Sequence, residues 1–461
     1  MHIGKLQQMQ RREFLRRASA LGLAGSAAPW ALNLAAIGEA AAAAAPGDYK
    51  ALVCVFLYGG NDHANTVVPY DAASYASYAA IRQTIATPRE QLLPLATAQP
   101  LNDGRELALA PQLGRLKALF DAGKLGVLLN VGTLVQPTTL TQYKAQNVPL
   151  PPKLFSHNDQ QSVWQASSPE GATSGWGGRI GDQFLASNGN ATFSCINVSG
   201  NAVFMSGQQA VQYQVSPSGA VPINGVTKPL YGSQACADAL RSLISAGDRS
   251  HWMEQELNRV TARSIAAQST VAAALGSGNA LSTPFDAGNN LAAQLLMVAR
   301  LIAGRAALGT SRQVFFVSLG GFDLHDFLPE QHPRLLAQLS DALASFHAAT
   351  VELGIEQQVC AFTASDFGRT LTSNGDGSDH GWGSHHFIVG GGIGGGRVWG
   401  RAPAVGVGGP DDVGQGRLLP TTSVDQFAAT LAVWMGVAPG ELPRLLPQIG
   451  NYGQRDLGFF A

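Results

Sequence analysis

Apolar residues in this chain gather into short runs separated by Gly, Ser and Asp clusters. The runs ALVCVFLY (51–58), LGVLLNVG (125–132), TFSCINVS (192–199), QVFFVSLG (313–320), QVCAFTAS (358–365) and HFIVGGG (386–392) have the length of strands. Several are apolar at consecutive positions instead of alternating, the pattern of strands covered on both faces, so a mainly parallel sheet with helices on both sides is expected. The stretch HPRLLAQLSDALASFHAATVELG carries a helical period and joins two of the strongest strands, as in a βαβ unit. TTSVDQFAATLAVWMG opens with a capping-box pair, Ser423 and Gln426, and has an apolar face at 3.6-residue spacing. An Ala-rich tract over about 234–308, broken by GSGNALSTPFDAGNN, reads as an inserted helical pair. No tandem repeat is present. The pattern predicts one large doubly wound α/β domain over 46–461.

The first 45 residues belong to a different pattern. Arg11 and Arg12 precede Phe14 and Leu15, then an apolar stretch rich in Ala, Leu and Gly, then EAAAAAAPG. This is the layout of a twin-arginine export signal ending in small residues that a signal peptidase cuts. The stretch is weakly hydrophobic, so cleavage is expected in place of a stable membrane span, and the mature protein is expected to be periplasmic or extracellular.

Composition narrows the classes further. A chain of 461 residues with 45% hydrophobic content buries a large core, and a formal net charge of -1 excludes the concentrated basic surface that nucleic-acid binders need. Four cysteines do not make a disulfide scaffold in a chain of this length. Cys54 and Cys360 lie inside apolar strand runs and read as packing residues, whereas pairing of Cys195 with Cys236 is left open. No CxxC occurs, so thiolate zinc binding has no support.

The candidate chemistry lies just beyond the strands. Asp62, Asp323 and Asp366 each follow an apolar run by a few residues. In open parallel sheets ligands bind beyond the carboxyl ends of strands. Three carboxylates on one rim repel one another, and a bound cation relieves that repulsion. Histidines accompany them: His63, His325, and His380, His385 and His386 in DGSDHGWGSHHF, which also carries Asp379. Mixed Asp and His ligation suits zinc, manganese or iron better than calcium or magnesium. His332 and His347 fall in a helical stretch and read as packing or surface residues. SNGDGSD lacks the downstream glutamate of a calcium loop and reads as a flexible turn. GGGIGGGR has no following helix to receive a pyrophosphate, and no GxSxG is present.

FLYGGNDHANTVVPYD, FSHNDQQSVWQ, GWGGRIGD, LGGFDLHD, TASDFGRTLTSNGDGSDHGWGSHHFIVGG and TTSVDQFAATLAVWMG together resemble, over nearly the whole mature chain, the exported bacterial proteins grouped as domain of unknown function 1501. That family resembles a distant branch of the alkaline phosphatase and sulfatase superfamily, whose members hold one or two metal ions at strand ends. The resemblance implies that Asp62 is the first-strand metal aspartate, Asp323 and His325 the middle pair, Asp366 the aspartate of the next strand, and His380 or His385 the late histidine. The chain departs from the superfamily where Phe367, not histidine, follows Asp366, and where Asp323 and His325 stand two apart instead of four.

Ser156 follows the second strand region and opens a helix, which makes it the candidate nucleophile and equally a candidate N-cap. Arg369 is a candidate for holding a phosphate or sulfate group, or for pairing with Asp366. The expectation is a metal-dependent hydrolase of phosphate or sulfate esters, with a divalent zinc or manganese ion and a small anionic ester as substrate. The alternative is a non-catalytic cell-envelope protein on the same fold that binds a partner protein.

Overall fold

The computed structural model describes residues 48–460, apart from 102–103, 249 and 278–279. The export signal expected over 1–45 lies outside the described residues. The main sheet is built from β1 (Lys50–Leu57), β2 (Leu125–Gly132), β3 (Cys195–Asn197), β4 (Tyr213–Gln214), β5 (Arg312–Leu319), β6 (Val359–Ser365), β9 (Ser384–Gly390), β10 (Val398–Trp399) and β11 (Thr422–Ser423). Between β6 and β9 the chain forms a separate hairpin, β7 (Arg369–Ser373) and β8 (Ser378–His380). Across the main sheet the order is β10-β2-β9-β6-β1-β5-β3-β4, and β11 pairs with β2. β1 runs parallel to both β5 and β6, while β9 is antiparallel to both β2 and β6. The mainly parallel sheet is therefore present, with one strand reversed in its middle.

The unbroken apolar runs have the cause that the sequence suggested. Along β1, Val53, Val55 and Leu57 enter one core, and Leu52, Cys54 and Phe56 enter the other. The first core is completed by α6 (Asn290–Ala303) and α7 (Leu328–Glu352), through residues such as Leu295, Val298, Leu336 and Phe346. Trp164, Trp176 and Phe427 fill the second, on α2 (His157–Ala166), α3 (Trp176–Gln183) and α8 (Val424–Met435). A residue facing either way meets a helix, so no position along the central strands can be polar without a partner. The fold is a doubly wound α/β sandwich.

Several local expectations change. Among the described residues the tract 234–308 holds four helical segments instead of a pair: α4 (Gln234–Ser245), α5 (Trp252–Ser277), α6 and the short Arg305–Leu308. Of these, α6 is buried along Leu291, Leu295, Val298 and Ile302 as part of the central layer. SNGDGSD is the turn of the β7–β8 hairpin, and it is fastened: Phe327 N–H donates to Asp376 Oδ2 at 3.0 Å and Leu328 N–H to the Asp376 carbonyl at 2.9 Å, closing the start of α7. Cys195 is buried and Cys236 exposed, and both are free thiols. Tyr49–Ala461 forms one compact unit, and among the described residues no helix is long and apolar enough to cross a membrane.

The rim that matters is set by register. Leu57 of β1 lies beside Leu319 of β5 and Ser365 of β6, so three strands end at one level. Beyond them Gly59 adopts φ +112°, and a Cβ there would lie 2.3 Å from the Asp323 nitrogen. Only glycine lets the loops after β1 and β5 approach this closely. Ser365 locks the third loop to the first, its hydroxyl donating to the Leu57 carbonyl at 2.7 Å and accepting from Asn61 N–H at 2.9 Å.

Candidate metal centre

Four side chains from three separate segments converge on this rim: His157 from the first turn of α2, Asp323 and His325 from the loop after β5, and His380 from the end of β8. His157, Asp323 and His380 offer one ligand atom each within 4.8 Å of one another. His157 Nε2 lies 3.4 Å from Asp323 Oδ2. On Oδ1 of the same carboxylate, His325 Nε2 approaches to 3.1 Å and His380 Nε2 to 3.2 Å. The two latter nitrogens are themselves 2.9 Å apart.

The far side of each ring fixes its tautomer. His157 Nδ1 sits 2.6 Å from Asp366 Oδ2, His325 Nδ1 3.1 Å from Asp379 Oδ1, and His380 Nδ1 2.7 Å from the Phe155 carbonyl. All three partners are acceptors, so each Nδ1 carries the proton and donates it. In the neutral rings the three Nε2 lone pairs then point at one another and at a carboxylate. Four acceptors facing one another repel unless a cation lies between them, and rings held from behind by carboxylate or carbonyl groups are how metal-binding histidines are oriented. His157 Nε2 has no hydrogen-bond partner although it is buried, and neither has Asp366 Oδ1. The donor set, three imidazole nitrogens and one carboxylate oxygen, fits zinc or manganese.

Protonation acts on this site in opposite directions. The hydrogen bond to Asp366 raises the pKa of His157, so a proton competes with a metal for its Nε2. Burial lowers the pKa of His380 and keeps it neutral. Burial alone pushes the Asp323 carboxyl up, but the Arg369 hydrogen bond and charge, with His157 and His325, outweigh it and the net shift is down. Asp323 therefore stays ionised.

Of the residues expected to bind metal, Asp323, His325 and His380 are brought together. Asp366 stands behind them: its buried carboxylate accepts from His157, from Gln161 Nε2 at 2.8 Å and from Gly59 N–H at 3.2 Å. Asp62 is not part of the cluster. Its carboxylate forms a buried ion pair with Arg82, from α1 (Ala72–Arg82), a cation that already supplies the compensation a metal would give. His385 is also elsewhere, buried against the His63 ring at 4.9 Å, with its Nδ1 accepting from Asn130 N–H at 3.0 Å.

The two expected catalytic residues are differently engaged. Ser156 is the N-cap residue of α2, but its hydroxyl makes no capping bond and donates to Asp159 Oδ2 at 3.0 Å. It is flanked by Phe155 and His157, which serve the cluster, while it does not touch it. Arg369 is fully buried and pairs with Asp323, not Asp366: Nη1 donates to Asp323 Oδ1 at 2.7 Å and to the Gly59 carbonyl at 3.1 Å, and Nη2 donates to the Ser378 carbonyl. With those donors engaged it orients Asp323 and cannot also grip a substrate. His157 was the residue that sequence spacing missed. Its signal was there in FSHNDQQ, one position beyond the residue singled out.

Together the fold and the rim define a doubly wound α/β protein with a candidate metal centre at the carboxyl ends of its parallel strands. The chain belongs to the family described as "Protein of unknown function (DUF1501)", which matches residues 49–443. Among solved structures it is similar to the PsFucS1 sulfatase from Pseudoalteromonas sp., with 8% identity, 90% of this chain and 70% of that chain covered, and a TM-score of 0.35. It is also similar to Ps i-CgsB in complex with k-i-k-neocarrahexaose, with 8% identity, coverage of 88% and 77%, and a TM-score of 0.34. No curated protein matches the chain.

Proposed function

We propose that this protein is a metal-dependent hydrolase of phosphate or sulfate esters, exported by the twin-arginine pathway. The observation that carries the reading is the convergence of three oriented Nε2 lone pairs on the Asp323 carboxylate. A zinc or manganese ion held there by His157, Asp323, His325 and His380 would supply Lewis acidity toward an ester oxygen and make water a better nucleophile. The chain's own residues do the rest by position. Asp366, Asp379 and the Phe155 carbonyl hold the three imidazoles in the ligating tautomer, and Arg369 holds Asp323. Gln161 and Gly59 share Asp366 with His157, so the Asp366 charge is spread over donors that do not leave with the metal. Water is read as the nucleophile in place of Ser156, whose proton is directed at Asp159.

Elemental analysis of the exported protein tests the centre, and a screen of phosphate and sulfate esters with the metal found tests the activity. Near-stoichiometric metal and turnover that chelation abolishes are expected. A protein that stays metal-free after incubation with zinc, manganese and iron sinks the reading. The non-catalytic alternative is favoured by the engagement of Arg369 and Ser156 within the protein. Metal in the centre without turnover of any ester in the screen would select it.

A further inference from the structure

With Arg369 engaged, the cation for an anionic substrate has to come from elsewhere, and Arg417 is placed for it. The Arg417 guanidinium lies over the Phe155 ring at 4.8 Å, and its Nε donates to the His380 carbonyl at 2.7 Å. Phe155 and His380 are the two residues joined by the bond that orients the His380 ring. Arg417 is thus in direct contact with the cluster's own supports. Among the described residues no carboxylate pairs with it. Its remaining contact among the described residues is Nη1 to the Gly414 carbonyl at 3.4 Å, and Nη2 has no partner among them. Lys153, the other cation of the Phe155 loop, lies 3.5 Å from Asp159 and is already paired.

The loop that carries Arg417 is built to hold it still. The Asp412 carboxylate, 5% exposed, accepts from Gly408 N–H at 2.7 Å, Gly414 N–H at 2.6 Å and Gly416 N–H at 2.8 Å. Leu371 N–H donates to the Gly416 carbonyl at 3.1 Å, stitching the loop to β7. Among the described residues this half-buried guanidinium has a free nitrogen and no counter-ion, so it is open to an anion from solution.

We propose that Arg417 binds the non-bridging oxygens of a phosphate or sulfate group presented to the His157–Asp323–His380 cluster. Its consequence for turnover rests on the hydrolase reading, whereas anion binding itself does not. The test is calorimetric titration of full-length protein with inorganic phosphate and, separately, inorganic sulfate. Wild type is compared with Arg417→Gln and Arg417→Lys, with metal content and urea midpoint measured on each.

Arg417→Gln keeps a donor for the His380 carbonyl, and is expected to retain its metal and fold while binding the anion at least ~10-fold more weakly, the order of one charge-assisted hydrogen bond. Arg417→Lys is expected to fall between, since it keeps the charge without the planar fork. Where esters are turned over, KM for the anionic ester rises in Arg417→Gln and rises less in Arg417→Lys. Equal anion affinity in wild type and Arg417→Gln overturns the proposal, and so does a wild type that binds neither anion. Arg417-dependent anion binding by a metal-free wild type keeps this inference and rejects the hydrolase. Metal-dependent turnover indifferent to Arg417→Gln does the reverse. Of the two anions, the one whose affinity falls more identifies the ester class.

Discussion

Asp62 and Asp323 follow the same local pattern, an apolar strand, two glycines and an aspartate, yet they have opposite fates. Asp323 reaches a rim lined with imidazoles, whereas Asp62 turns inward to Arg82, whose side chain has no solvent exposure. Asp62→Asn is therefore expected to keep full metal content and to lower stability by about 3–5 kcal/mol, because an unpaired guanidinium is left buried. Asp323→Asn and His157→Ala are expected to lose the metal, and Ser156→Ala to keep it; elemental analysis beside urea melts separates these outcomes. Metal loss from a well-folded Asp62→Asn would contradict the assignment. Buried histidines add a pH dependence. Burial pushes the pKa of His332 down to about 4, with Asp62 opposing and Arg82 and Arg369 assisting. In the unfolded chain the same ring titrates near 6.5. The unfolded state thus takes the proton first, so stability is complete above about pH 6.5 and falls as the pH drops toward about 4, by about 2 kcal/mol at pH 5 for this one group. His332→Gln, which can still donate to Asn61 Oδ1 in place of Nε2, is expected to shrink the difference between urea midpoints at pH 7.5 and pH 5. An unchanged difference would show that His332 does not titrate on unfolding. The sequence disclosed Asp323 and His325 because they stand two apart just beyond a strand run, and His380 because it lies in the His- and Asp-rich run DGSDHGWGSHHF. It did not disclose Arg82 as the partner of Asp62 or Asp366 as the partner of His157, because these pairs are formed by folding and leave no spacing to read.

Elements were legible where burial dictates composition and illegible where it does not. The β9 run announced itself as a strand, but not as a reversed one: between β2 and β6 both of its faces are covered, and a covered strand has the same apolar run in either direction. Its reversal comes from the β7–β8 hairpin, whose SNGDGSD turn reads as mere loop until Asp376 is seen closing the start of α7. GWGGRIGD is the opposite case, a motif whose meaning is packing. Within α3 a Cβ at Gly178 would fall 2.1 Å from the Ser206 carbonyl carbon, and one at Gly181 would fall 2.3 Å from Cys195 Sγ. The glycines let α3 press against the backbone around Ser206 and against β3. Gly178→Ala is expected to lower stability by about 1–3 kcal/mol through overpacking. Gly440→Ala, with open space around it, is expected to stay within about 0.5 kcal/mol of wild type. Equal urea midpoints for the two variants would refute the packing role of α3.

At the scale of the whole molecule, the cluster joins parts of the chain that local structure does not join. His157 starts a helix on one face of the sheet, Asp323 and His325 lie on the loop leading into α7 on the other face, and His380 ends a hairpin outside the main sheet. A divalent ion held by all of them would cross-link both helical layers and the hairpin, and would bind only the folded chain, since no two of the three segments are adjacent in sequence. Linkage then fixes the size of the effect: free metal at 100 times its dissociation constant adds about 2.7 kcal/mol to the stability. In a chain this large that is expected to raise the melting temperature by about 3 °C, at the scale of ~1 °C per kcal/mol. The proton competition at His157 gives the effect a pH signature: it should weaken as the pH falls, because the group whose pKa Asp366 raises must lose its proton to ligate. The measurement is a pair of melting curves, metal-saturated and chelated, at pH 7.5 and at pH 6, for wild type and Asp323→Asn. A shift present in wild type, smaller at pH 6 and absent in Asp323→Asn is the expected pattern. An equal shift in Asp323→Asn would mean that the ion binds elsewhere, and the rim would then be held by the His157–Asp366 and Arg369–Asp323 pairs alone.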